Sequence, residues 1–494
     1  MIEQFLYALP MATVVIAAFV LMLLSRSRIT LNRLNLIAVS FLMLSLILQF
    51  FLYGEKSSTF LFENIFGDRF ILDDFASIFD IMFTLGAILT LLINNDYFKS
   101  RQYFAGEYFA LILFSVFGMM MLAHAHELVT AFIALEIASL SVYALVGYNK
   151  TNKFSSEAMM KYIVLGSMTG AFFMLGTALI YGAVGSTSLT VIAQYISGNE
   201  LTHMPMLIIG ASFIMVTILF KIGAVPFHSW VVDVYHGAPY PITMFMASTF
   251  KIAVFALALR LYLVDFAPIN SFWTELLQVI TILTLLGGSW LAINQTLVKR
   301  MLAGSSIVHS GYLLIAMSSI GLGSELAAPA IMFYLLAYFL SAAGAFGILS
   351  FIASQSKRQM RYEDFKGFAQ RRPYMAIMMS IFMLSLAGFP STIGFLGKFY
   401  IFTSAIESGQ ILLAGLGILT AFISVYYYFK LIAMMYFYPS EEEQKVFPLN
   451  ISTILIVMMS VLVIWGGIGT TLIPFIPGAD NFIEIAIESI NSLR

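Results

Sequence analysis

Six ionisable side chains stand inside otherwise apolar runs. They are Glu136 (ALEIASLSVYALVGY), Lys161 (EAMMKYIVLG), Lys221 (TILFKIGAV), Lys251 (STFKIAVFAL), His309 (SSIVHSGYLL) and Lys398 (FLGKFY). A charge at the centre of a membrane helix costs roughly 2.5–3.5 kcal/mol on insertion scales. Together these groups cost on the order of 10 kcal/mol, comparable to the stability of a whole domain. Pairing and internal water must offset that, and the chemistry left to Lys, Glu and His in such a place is proton or cation transfer. Glu136 and Lys221 have opposite sign and lie in different runs, so they are expected to pair. The pair holds Lys221 charged, and weakening it lets desolvation drive the proton off, which makes a switchable proton-loading device.

Two of the lysines lie beside breaks. In Thr217–Pro239 (TILFKIGAVPFHSWVVDVYHGAP), Gly223 and Pro226 interrupt the helix after Lys221, and His228, Trp230, Asp233, Tyr235 and His236 follow. In Leu386–Tyr400 (LAGFPSTIGFLGKFY), Gly388, Pro390, Gly394 and Gly397 surround Lys398. Irregular backbone at membrane depth survives only inside protein or beside water. Paired breaks in corresponding positions of two halves point to a transporter's core. Plainer readings stand beside these. Glu136 suits a static ion pair. Lys161, four residues after Glu157, suits a surface pair or a snorkelling side chain. His309 suits a satisfied core histidine, and Lys430 snorkels near a helix end. Asp74 and Asp80 suit interfacial or interhelical contacts. His228, Asp233 and His236 form either a cytoplasmic mouth or a loop cap.

The elements that must carry these residues follow from composition. Of 494 residues, 60% are hydrophobic and 10% charged, against about 25% charged in a soluble domain. The expectation is an all-α polytopic membrane protein. Apolar runs of suitable length lie near 4–24, 34–53, 72–94, 107–124, 127–148, 157–184, 204–226, 241–264, 274–296, 302–322, 327–354, 373–404, 410–437 and 449–475, about fourteen spans. The segments near 55–70, 185–203 and 265–273 read as connections. The first run has no basic flank or cleavage site and reads as a retained helix. Basic residues collect in odd-numbered loops: Arg26, Arg28 and Arg33; Lys99 and Arg101; Lys150 and Lys153; Lys299 and Arg300; and Lys357, Arg358, Arg361, Lys366, Arg371 and Arg372. Even-numbered loops show Lys56, Arg69 and a borderline Arg260. The odd loops are therefore expected in the cytoplasm and both termini outside. Spans four to eight and nine to thirteen read as two inverted five-helix repeats, each with a broken helix. The expected organisation is 1–105 (three helices), 106–265 (first repeat), 266–438 (second repeat) and 439–494 (last helix and tail). With no cysteine in the chain, disulfides, iron–sulfur clusters and thiolate metal sites are excluded. No phosphate loop, dinucleotide fingerprint or nucleic-acid-binding basic tract is present.

On LEIASLSVYALVGY, EAMMKYIVLGSMTGAFFMLGTALIYGAVGS, FKIGAVPFHSWVVDVYHGAPYPITMFMASTFKIAVFAL, INQTLVKRMLAGSSIVHSGYLLIA and FMLSLAGFPSTIGFLGKFY, roughly 130–400 resembles the antiporter-like membrane subunits of respiratory complex I. His236, Gly304 and Ser391 depart from that pattern, where glutamine, an aromatic and a second proline are frequent. The resemblance implies that Glu136 tunes Lys221, which loads a proton from the cytoplasm. Lys251 and His309 would relay it along a hydrated mid-membrane axis, and Lys398 would pass it outward. Lys161 would help couple to a neighbouring subunit. It also implies that this chain binds no cofactor. Quinone, NADH or another donor, FMN and iron–sulfur clusters would belong to partner subunits. The partners would be other membrane subunits, including antiporter-like siblings, in a bacterial cytoplasmic membrane. The alternative reading is a subunit of an Mrp-type cation/proton antiporter.

Overall fold

The computed structural model describes residues 2–54, 59–61, 63–101, 103–198, 203–355, 360–440, 450–468 and 478–493. Lys56, Lys357 and Arg358, and the end of the last predicted span, lie outside these. The chain opens with α1 (Ile2–Leu24) and α2 (Leu31–Leu52). A two-residue hairpin, β1 (Thr59–Phe60) with β2 (Ile71–Leu72), brackets α3 (Glu63–Phe66). There follow α4 (Asp74–Ile93), α5 (Asn95–Ser100), α6 (Gly106–His124), α7 (Leu128–Val146), α8 (Lys153–Val184), α9 (Leu189–Ser197) and α10 (Met204–Ile222). Next come α11 (Val231–Gly237), α12 (Tyr240–Phe245), α13 (Lys251–Arg260), α14 (Ser271–Ile293), α15 (Val298–Ile320) and α16 (Ala327–Gln355). The chain ends with α17 (Phe368–Arg371), α18 (Pro373–Ala387), α19 (Ile393–Glu407), α20 (Ile411–Tyr436), α21 (Ile451–Ile468) and α22 (Ala479–Asn491).

Thirteen described stretches are long and apolar enough to cross a membrane, with Tyr240–Leu263 counting as one. The predicted span at 373–404 is the pair α18 and α19, two 15-residue halves. The architecture is therefore the expected all-helical, polytopic one. The connections hold more structure than composition implied. The segment near 185–203 contains α9, and the tail contains the amphipathic α22. The Ser492 hydroxyl accepts the Phe75 amide at 3.2 Å, which ties the tail to the start of α4.

Local chemistry sets several helix ends. Asp73 caps α4 by accepting from the Ala76 amide at 2.7 Å, and Asn152 caps α8 through the Phe154 amide at 3.0 Å. Between helices, small residues permit close approach. A Cβ on Gly176 of α8 would sit 2.4 Å from the Gly210 carbonyl oxygen of α10, and one on Gly118 of α6 only 2.5 Å from the Ala138 nitrogen of α7.

The centre of the bundle is the Tyr240–Leu263 helix run with α15 and α16, whose spans are 100%, 100% and 89% buried inside the protein, against 28% for α1. This central run carries π-turns at Met246–Phe250 and Leu261–Asp265, which nothing in the sequence announced. One end of the bundle gathers the basic loops. There Arg101 donates to the Ala353 carbonyl at 2.7 Å, and Leu297 bridges Arg361. At the opposite end Phe70 bridges Ala125 and Glu127 bridges Ser188.

Two basic residues expected in loops lie buried in helices instead. Arg260 is buried at the end of α13. It grips Asp73 with two hydrogen bonds, of 2.9 and 3.2 Å, and the Ala123 carbonyl with two more. Lys299 is 5% exposed, because α15 begins at Val298 and draws it into the protein.

Candidate functional site

At the first break, α10 ends at Ile222 and Gly223 takes a left-handed conformation at φ 75°. This lets the Ala224 amide reach the Leu219 carbonyl at 2.9 Å. Lys221 lies in the last turn of α10, 2% exposed. Its Nζ donates to Ser139 Oγ at 2.7 Å and to the Tyr143 hydroxyl at 2.8 Å, both on α7.

The expected ion pair with Glu136 does not form. Glu136 shares that face of α7, but it stands one turn before Ser139, and the two hydroxyls reach the ammonium first. Glu136 Oε1 lies instead against α8, 3.0 Å from where a Cβ on Gly170 would be. It is buried without a hydrogen-bond partner. The carboxylate can act on Lys221 only through the field.

Lys251 follows directly on the π-turn. It donates to the Ser306 carbonyl (2.8 Å), Ser306 Oγ (2.7 Å) and Ser310 Oγ (3.0 Å) of α15. Hydrogen bonds to a charged group contribute about 1.5–3 kcal/mol each, so three of them offset much of the burial cost. Ser310 Oγ in turn donates to the Ile222 carbonyl at 2.7 Å. One hydroxyl thus joins the end of α10 to Lys251. A small cavity between the two lysines is lined by Trp230, Tyr235, Phe250 and Ser306. Its volume is about 10 Å³, roughly the room one water needs.

Further along α15, His309 Nδ1 lies 2.5 Å from the Tyr334 hydroxyl and Nε2 lies 3.0 Å from that of Tyr428. Lys251 Nζ and His309 both face the Tyr338 ring, at 5.4 and 4.7 Å from its centre. His309 and Lys398 Nζ both face Tyr312, at 5.7 and 4.9 Å.

Lys398 sits in α19, beyond its break, whereas Lys221 precedes its own. Its Nζ donates to the Leu386 and Ala387 carbonyls, both at 2.9 Å. These end α18, where the helix dipole is negative. Gly388 makes this possible. Its φ is 83°, and a Cβ there would meet Lys398 Cδ at 2.9 Å. Pro390, next but one, lies exposed in the turn between the halves.

The structure therefore brings Lys221, Lys251, His309 and Lys398 into one buried line and leaves the remaining candidates outside it. Lys161 is 41% exposed and pairs with Glu157 at 2.7 Å and Asp233 at 2.8 Å. Asp233 also takes Arg300 at 3.2 Å, tying α8, α11 and α15 together. Burial opposes ionisation of Asp233, but Lys161 and Arg300 outweigh it and hold the carboxyl below its usual range. His228 is half-buried in the turn after Pro226, which is itself exposed, and its Nδ1 has no partner. His236 packs on Phe154. Burial first, then Lys299 and Arg300, pulls its imidazole down to about 4.

Away from the line, His124 Nε2 meets Asp80 at 3.0 Å, and Asp74 accepts the Gly54 amide at 3.3 Å. Lys430 lies over the Tyr362 ring at 4.6 Å. Sequence reasoning missed the hydroxyls that hold the line: Ser139, Tyr143, Ser306, Ser310 and the tyrosines about His309. Their signal was polar residues at helical spacing in LEIASLSVY and SSIVHSGY.

Residues 125–424 match the family model described as NADH:quinone oxidoreductase/Mrp antiporter, transmembrane. The chain belongs to this family. NADH-quinone oxidoreductase subunit N of Trichlorobacter lovleyi is 42% identical over 378 residues, 76% of this chain and 77% of the relative. Among solved structures, the chain is similar to one in respiratory complex I from Thermus thermophilus with bound aureothin. The TM-score is 0.78 at 29% identity, covering 94% of this chain and 98% of that one. It is also similar to one in the membrane-bound sulfane sulfur reductase, an archaeal respiratory membrane complex. There the TM-score is 0.87 at 25% identity, covering 99% and 98%. The buried line lies wholly within the family match. Its lysines and histidine are groups that can take up and release protons. The chain has no cysteine, and among the described residues no cluster of three His, Asp or Glu could hold a metal.

Proposed function

We propose that this chain is a proton-translocating membrane subunit, subunit N, of a bacterial respiratory NADH:quinone oxidoreductase. The observation that carries the reading is the buried line from Lys221 through Lys251 and His309 to Lys398. Every cation in it is held by neutral oxygens or rings, so each site can exchange a proton without breaking an ion pair. Identity of 42% to a subunit N, over a stretch that spans most of both chains, favours this over an Mrp-type antiporter subunit.

In this reading Lys221 loads a proton at the basic, cytoplasmic end, and both termini lie outside. Ser310 and the small cavity pass the proton to Lys251. His309 accepts it through the tyrosine cluster, and Lys398 releases it past the second break. Glu136 tunes Lys221 through its field, and Lys161 with Asp233 braces the cytoplasmic end near a neighbouring subunit. The helices before residue 106 and after 438 flank two inverted repeats, 106–265 and 266–438. NADH or another donor, FMN, iron–sulfur clusters and quinone act in partner subunits, and their reaction drives the line.

Lys221→Ala in the assembled complex, reconstituted into liposomes, tests this. With assembly intact on a native gel, donor:quinone electron transfer and proton pumping should both collapse. Wild-type pumping in that variant would make the chain a scaffold.

A further inference from the structure

The basic end holds a cavity apart from the buried line. It has a volume of about 250 Å³ and is walled by Tyr97, Arg101, Tyr103, Asn149, Tyr240 and Met360, with Lys299 among its lining residues. Lys299 Nζ donates to the Ala238 carbonyl at 2.5 Å and the His236 carbonyl at 3.4 Å, and lies 4.2 Å over the Tyr240 ring. Among the described residues it has no carboxylate partner. The nearby acids are committed elsewhere, Asp233 to Lys161 and Arg300 and Asp364 to the Arg361 amide. Lys299 is thus a fourth buried lysine held only by neutral groups, here two carbonyls and a ring, as those of the line are held by neutral oxygens and rings.

The position of the cavity gives this lysine a use. The cavity reaches the ends of all three central helices, at Tyr240, Lys299 of α15 and Ala353 of α16, and is closed by α5 and the α7–α8 connection. Lys299, Ser306 and Ser310 stand at i, i+7 and i+11 and share one face of α15. Ser306 and Ser310 hold Lys251. At 1.5 Å per residue, Lys299 lies about 10 Å along the helix from Ser306. Tyr235 lines the small cavity beside Lys251 and is followed directly by His236, a wall of the large one. The other titratable groups facing Lys299 are Arg101, His236 and the three tyrosines. His236 stays neutral near pH 7, an arginine does not release its proton, and the tyrosines are weak acids.

We propose that this cavity is an aqueous vestibule and that Lys299 passes protons from it to the Lys221–Lys251 end of the line, upstream of the loading at Lys221. This deepens the proposed function and rests on it.

The test uses the assembled complex in proteoliposomes. Lys299→Arg keeps the charge and the carbonyl contacts but cannot deliver a proton. If Lys299 loads protons, this variant should lose pumping by about 10²-fold, with assembly unchanged. If Lys299 only clamps the His236 and Ala238 carbonyls, arginine restores pumping and the proposal falls.

A second arm does not depend on altering Lys299. Asn149→Cys places a thiol in the cavity wall, and a trimethylammonium methanethiosulfonate reagent is added, with wild-type complex under the same reagent as control. Labelling should cut the pumping of this variant several-fold. Equal pumping before and after complete labelling overturns the vestibule. Lys221→Ala in parallel separates the two ideas. If it abolishes pumping while Lys299→Arg pumps normally, only the entry route fails. If it pumps normally, the function reading fails first.

Discussion

At the scale of single residues, the decisive contact is a hydroxyl. The Tyr143 hydroxyl and Ser139 together hold Lys221, and Gly166 of α8 leaves room for the former. A Cβ on Gly166 would stand 2.0 Å from the Tyr143 hydroxyl oxygen. Tyr143→Phe and Gly166→Ala therefore perturb one hydrogen bond by two routes. A charge-assisted bond is worth about 1.5–3 kcal/mol, so each variant should lower pumping by roughly tenfold. Native-gel assembly should remain intact. If the two differ widely in pumping at equal assembly, the hydroxyl is not what they share. Glu136→Gln should act more weakly than Lys221→Ala, because the carboxylate makes no hydrogen bond to the lysine and works only through its field.

At the scale of elements, the breaks convert helix ends into proton sites. Lys398 is held by the last carbonyls of α18, so the relative position of α18 and α19 fixes its surroundings. Gly394 governs that position. A Cβ there would lie 2.0 Å from the Ser385 carbonyl oxygen, a backbone atom that cannot swing aside. Gly394→Ala should force the halves apart at a cost of about 1–3 kcal/mol. Reconstituted complex carrying it should pump poorly even where native gels show full assembly, and normal pumping would detach Lys398 from its break. The departure at Ser391 belongs to this element. Its φ is 67°, a value proline cannot adopt, so the second proline frequent in relatives is incompatible with this turn. Gly304 has a similar local sense. A Cβ there would approach the Ala292 nitrogen to 2.8 Å, which leaves no place for an aromatic side chain between α14 and α15.

At the scale of the whole molecule, the bundle keeps its charges in two kinds of setting. Along the central line, cations meet neutral oxygens and rings. At the ends, charges meet charges, as in Arg260 with Asp73 and Asp233 with Lys161 and Arg300. The first setting leaves protons free to move, and the second locks elements together. His236 lies between them. Its folded value of about 4 is below the roughly 6.5 expected when unfolded. The neutral form therefore contributes stability that is full above about pH 6.5 and is lost as pH falls towards 4. His236→Gln should remove that dependence. Heat-induced loss of soluble complex between about pH 7 and pH 5 should steepen less in the variant than in wild type. Identical pH dependence would show that His236 does not contribute.

Much of this was legible without coordinates, because burial of charge and interruption of helix are written in residue order. Long apolar runs fix the spans, since a bilayer leaves the backbone no other partner than itself. Lysines inside those runs mark Lys221, Lys251 and Lys398, and Gly223 and Gly388 mark the breaks. Other features came only with the tertiary structure. Lys221 faces Ser139 and Tyr143 instead of Glu136, because one turn of α7 decides which side chain reaches an ammonium first. Lys299 is the second residue of α15, next to a loop, so the charge pattern placed it at the surface, and only the packing of α15 between α11 and α14 buries it. The π-turn ahead of Lys251, and the hydroxyl of Ser310 that joins it to α10, have no sequence signature. Sequence determines which groups must be withdrawn from lipid. The crossing of helices decides which oxygens then receive them, because hydrogen bonds act over about 3 Å and no spacing along one chain sets distances between two.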